Sequence, residues 1–70
     1  MITNQTFFLN GQEYFSTGKL TILDLLNYFD YNIDLLIVEH NHFICKKQNW
    51  NSTFVENDNI IEIVTIVGGG

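Results

Sequence analysis

The hydrophobic pattern of this chain changes period twice. In "TFFLNGQEYFS", residues 6–16, two β-rich runs flank Asn10-Gly11. Both turn residues tolerate positive φ, and such a pair is a strong short-range signal for a hairpin. Phe7 and Leu9 fall on one face of the first run and Phe8 on the other, and Tyr14 or Phe15 continues the pattern after the turn. "STGK" then reads as a loop. In "LTILDLLNYFD" the period lengthens: Ile22, Leu25, Leu26 and Phe29 follow i, i+3, i+4, i+7, one apolar stripe of a helix. The spacing predicts a helix from about Thr21 to Asp30. Thr21 suits the N-cap, Asp24 stands at the capping-box position, and Leu20 and Leu25 occupy the positions of a hydrophobic staple.

The short period then returns. "LLIVEH" is apolar and β-branched, Asn41-His42 supplies a turn, and "FICKK" follows as the next strand. "QNWNSTFVENDN" is polar around a lone Trp50 and reads as an irregular excursion. The closing strand, Ile60 to Val67, is apolar on both faces apart from Glu62 and Thr65, the pattern of a central strand. The order ββαββ, excursion, β predicts an α+β chain of β-grasp type. A mixed sheet of about five strands is crossed by one main helix, with the first and last strands parallel in the middle. The chain divides into a β-grasp domain, residues 1–67, and a flexible Gly-Gly-Gly tail, residues 68–70. Alternation that sends Ile61 and Ile63 towards the helix sends Glu62, Val64 and Ile66 to the open face, beside the tail. These three are the candidate partner-docking residues.

Composition narrows the function. The chain has 70 residues, enough for one domain, and 46% hydrophobic residues argue for a folded one. Net charge is -5, with only Lys19, Lys46 and Lys47 as cations, so nucleic acid is not an expected partner. The acidity serves solubility or docking on a basic surface. Cys45 is the single cysteine, which excludes an internal disulfide, and it reads as a half-buried strand thiol. His40 and His42 lack a third ligand, so no metal site is expected. Trp50 reads as a core plug or as an anchor for a partner, the core being the favoured place. Glu39, Asp58 and Glu62 read as solvated or turn-forming. No apolar run reaches the ~20 residues of a membrane span, and no leader pattern is visible. The expectation is a soluble intracellular protein. Asn and Ile each occur nine times, a bias of AT-rich genomes, so the compartment is the cytoplasm, or the plastid stroma if the chain is organelle-encoded.

Four segments carry a resemblance: "LNGQ", "TILDLL", "IVEHN" and above all "NDNIIEIVTIVGGG". Across essentially its whole length the chain resembles the ThiS family of sulfur-carrier proteins, ubiquitin-like β-grasp proteins of thiamine biosynthesis. Two positions depart from the family's habit. Asn41-His42 stands where Asn-Gly is frequent, and Lys46 or Lys47 stands where an arginine is frequent. The resemblance implies that an E1-like, ThiF-like adenylyltransferase activates the Gly70 carboxylate with ATP. A persulfide sulfur donor then displaces AMP, and the resulting thiocarboxylate passes its sulfur to a ThiG-like thiazole synthase. Gly68 and Gly69 would thread the narrow channels of these partners, since a chain without Cβ atoms fits where others clash. The chain itself would be a co-substrate and not an enzyme, with no bound cofactor and ATP used by the partner. In keeping with this, the sequence offers no phosphate loop and no nucleophile–base pair. Two other roles share the Gly-Gly ending: the small subunit of molybdopterin synthase, which tends to be longer and to carry proline before its tail, and a ubiquitin-like modifier or plain interaction module.

Overall fold

The structure, a computed structural model, describes residues 3–66. Its first hairpin joins β1 (Asn4–Leu9) to β2 (Gln12–Thr17) through Asn10 at φ 50° and Gly11 at φ 82°. Two successive positive φ values make the two-residue turn whose twist matches the paired strands. Phe7 stands opposite Tyr14, so Tyr14 continues the inward face, while Phe15 is left exposed.

Helix α1 (Ile22–Tyr28) begins in the capping box that Thr21 and Asp24 announce. The Asp24 amide donates to Thr21 Oγ1, and the Thr21 amide donates to Asp24 Oδ2, both at 3.0 Å. The remaining free amides of the first turn are met from far along the chain. Ile22 N donates to the Thr53 carbonyl at 2.9 Å and Leu23 N to the Trp50 carbonyl at 3.0 Å. Helix starts leave such donors unpaired unless something outside supplies acceptors. The helix ends sooner than the stripe predicts. Phe29 is its C-cap, and Asp30 turns left-handed at φ 57°. Asp30 N then donates to the Asn27 carbonyl and Tyr31 N to the Leu26 carbonyl, a Schellman ending.

A 3-10 turn, Ile33–Leu35, precedes β3 (Leu36–His40), and its first turn is capped by the Asn32 side chain on Asp34 N. Asn41 and His42 repeat the double positive φ, at 52° and 73°, and lead into β4 (Phe43–Cys45). The segment 46–59 is more ordered than its polarity suggests. It contains a second 3-10 turn, Lys47–Asn49, and buries Trp50 and Val55 in the core. Trp50 Nε1 donates to the Cys45 carbonyl at 2.8 Å, so the plug keeps its polar edge satisfied.

β5 (Ile60–Thr65) is central, as its two apolar faces predict, in the sheet order β2-β1-β5-β3-β4. It runs parallel to β1 and antiparallel to β3. The predicted strand reached Val67; the strand ends at Thr65, and Val67 lies outside the described residues. Phe7, Leu9, Ile22, Leu25, Leu26, Val38, Ile61 and Ile63 fill the space between helix and sheet, joined by Trp50 and Val55. Phe29 is only partly buried and sets its ring edge-on to Tyr14, 5.2 Å between centroids. No helix among the described residues is long and apolar enough to cross a membrane.

Candidate functional site

Gly68, Gly69 and Gly70, the residues expected to carry the chemistry, lie outside the described residues. The site that can be built is the strand that delivers them. β5 is held tightly up to its end, and asparagine side chains do much of the holding. Asn41 Oδ1 accepts from Ile60 N, and Asn10 Oδ1 accepts from Ile63 N, both at 2.8 Å. The second bond extends the contact with the first hairpin past the point where paired residues of β1 run out at Leu9. On the other side Ile66 N donates to the Leu35 carbonyl at 2.7 Å. The last described residue is therefore still hydrogen-bonded to the backbone just before β3.

Inward-facing Ile61 and Ile63 are buried, whereas Val64 is 52% and Ile66 45% exposed. Glu62, two residues before Val64 on the same strand, is half-buried. Cross-strand partners extend the surface: Ile37 stands opposite Val64, and Glu39 opposite Glu62. Ile44 on β4 stands opposite Glu39 and is exposed. The open face along β5 is thus apolar with carboxylates set into it. By sequence Glu39 reads as solvated or turn-forming; its position opposite Glu62 depends on strand register, which one strand's alternation does not reveal.

The other polar candidates have structural work. His40 Nε2 and Asn59 Oδ1 lie 2.8 Å apart, and the same Asn59 oxygen accepts from Glu56 N at 2.7 Å. Asp58 takes φ 67° in the turn before β5, its amide donating to the Thr6 carbonyl. His42 occupies the second hairpin turn. Cys45 is half-buried, its Sγ 3.8 Å from Thr53 Oγ1. Among the described residues no three His, Cys, Asp or Glu side chains gather where an ion could sit. Two surface clefts, of about 370 and 330 Å³, lie among Lys19, Phe54 and Glu56 and among Tyr14, Phe15 and Tyr28. Neither is lined by Glu62, Val64 or Ile66.

Residues 6–70 match the model of the ThiS family. The chain is 57% identical over 68 residues to the protein ycf40 of Trieres chinensis, covering 97% of this chain and 93% of that protein. It is 34% identical over 62 residues to ycf40 of Porphyra purpurea, covering 89% of this chain and 87% of that one. Among solved structures, the thiamine biosynthesis protein ThiS of Geobacter metallireducens superposes with a TM-score of 0.81, over 94% of this chain and 100% of that chain. At 22% identity, that likeness demonstrates a shared fold.

Proposed function

The chain belongs to the ThiS family, small sulfur carriers rather than catalysts, and we propose that it carries the sulfur of thiazole synthesis on Gly70. The observation that carries this reading is a family match running through the β-grasp domain to the last glycine. In the proposed cycle an E1-like adenylyltransferase binds the open face. The Gly70 carboxylate attacks the α-phosphate of ATP, releasing pyrophosphate and leaving an acyl adenylate. A persulfide sulfur attacks the acyl carbon and AMP leaves. A thiol then cleaves the sulfur–sulfur bond, is itself oxidised to a disulfide, and frees the thiocarboxylate. Thiazole synthase accepts that sulfur. Tethering sulfur to a protein holds a reactive atom close to its acceptor, which raises its effective concentration.

In this reading the carrier contributes an unhindered carboxylate, a slim Gly68-Gly69 approach, and a docking face that includes Glu62, Val64 and Ile66. Acid–base groups and the nucleotide pocket belong to the partners. A plastid stroma location is supported by the Asn- and Ile-rich composition and by the ycf40 relatives. The deciding experiment is intact-mass analysis after incubation with ATP, the E1-like enzyme and a sulfur source. Exchange of one oxygen for sulfur at Gly70 is the expected result. An isopeptide-linked Gly70 would replace the carrier reading with a protein modifier.

A further inference from the structure

The open sheet face has an unusual charge arrangement at its centre. Glu39 and Glu62 are direct cross-strand partners on β3 and β5. Directly opposed residues hold their Cβ atoms about 4.5–5.5 Å apart, and like charges so placed destabilise a sheet. Among the described residues no cation pairs with either carboxylate: the ion pair found there joins Lys47 to Asp34. Ile37, Val64, Ile66 and Ile44 are exposed around the two carboxylates. Whatever covers this face must bring apolar atoms for the rim and positive charge for the middle.

A second copy of the chain is poorly equipped to do so. It contains no arginine, and its cations are Lys19, Lys46 and Lys47. Lys47 is engaged with Asp34, Lys19 lies 5.9 Å from the centre of the Phe54 ring, and the exposed Lys46 is a point charge without the planar fork that serves two carboxylates at once. Resting on the carrier reading above, we propose that Glu39 and Glu62 form a clasp for one arginine of the adenylating enzyme. A guanidinium is planar and carries five donors, so one group can serve two carboxylates, and it sheds water more readily than an ammonium. The surrounding isoleucine and valine side chains exclude solvent from the contact, which strengthens it. The clasp lies on the strand that leads to Gly70, so it sets the register in which the tail enters the enzyme.

The test is calorimetric titration of the full chain with its E1-like adenylyltransferase, without ATP, at low and high salt. Glu39→Gln and Glu62→Gln should each raise Kd about tenfold, and the double variant should flatten the salt dependence. Glu13→Gln, on the distant edge strand β2, should bind as wild type does. The Glu39 and Glu62 variants should melt at or above the wild-type temperature, because the repulsion is gone. Unchanged affinity of the two single variants overturns the clasp, as does a wild-type chain that fails to bind. A wild-type dimer that the glutamine variants dissociate also overturns it, by giving the face to a second copy. ATP–pyrophosphate exchange in the same mixture reads the carrier function separately. Binding that is intact without exchange removes the carrier reading and leaves the clasp in place.

Discussion

Leu26→Ala isolates the contact between helix and sheet. Leu26 is fully buried on α1, and the core cluster it belongs to draws on both ends of the chain, with Phe7 on β1 and Ile61 on β5. Close packing on all sides leaves little room for collapse, so the lost transfer energy and the cavity together cost ~2–5 kcal/mol. A chain of this size has roughly 4–10 kcal/mol of stability at the usual value per residue. The substitution therefore removes a large share of the total. At about 4–8 °C per kcal/mol for a domain of 60–100 residues, the melting temperature should fall by more than about 8 °C. Val64→Ala, on a half-exposed position of the opposite face, should change stability by less than ~0.5 kcal/mol. Urea midpoints and thermal melts of the two variants, measured side by side, decide the matter. Equal shifts would mean that the helix does not cover the face assigned to it.

Other expectations follow from the turns and the tail. His42 holds φ 73° where glycine pays no steric penalty, so His42→Gly should stabilise by ~0.5–1 kcal/mol; a lower melting temperature would show that the imidazole makes a compensating contact. Asn10→Ala removes the acceptor for Ile63 N and should cost ~1–3 kcal/mol, read as a lower urea midpoint; no change would mean that water replaces the bond freely. Deleting Gly70, or adding a residue after it, should abolish thiocarboxylate formation by mass analysis while leaving the melt unchanged. An extended chain that accepts sulfur without being trimmed would rule out the proposed chemistry. Val64→Asp should raise the KM of adenylation without unfolding the chain, and unaltered kinetics would detach this face from the activating enzyme.

Much of the architecture was legible because it rests on short-range rules. Asn10-Gly11 encodes a turn that only certain residues accept, and the Ile22, Leu25, Leu26 stripe encodes a helix with one buried side. The two apolar faces of β5 encode a strand with neighbours on either hand. Segment 46–59 was not legible in the same way. Its work is to supply carbonyls of Trp50 and Thr53 to the first turn of α1, and a backbone carbonyl leaves no trace in side-chain periodicity. The last residues of α1 depart from the apolar stripe for a related reason. Phe29 continues the stripe, but Asp30 accepts the left-handed conformation, which the apolar pattern does not encode. Of the site, Val64 and Ile66 could be placed on one face by alternation alone. Glu39 could not be set against Glu62, because pairing between strands is fixed by turns and partners elsewhere.

The asparagine count acquires a different meaning once the hydrogen bonds are traced. As composition it suggests only an AT-rich genome. In the fold, Asn10, Asn41, Asn57 and Asn59 each turn a side-chain oxygen onto a backbone amide at or beside β5 or β1. Asn57 accepts from Thr6 N at 2.8 Å, and Asn59 closes the turn that precedes Ile60. A parallel pair such as β1 and β5 cannot be joined by a tight hairpin, so its ends need acceptors from elsewhere. Short amide side chains supply them without adding charge beside the carboxylates of the open face. An Asn-rich composition and the need for neutral acceptors at the ends of the central strands thus point in the same direction. Four asparagine side chains thereby tie β5 and β1 to the loops and turns around them.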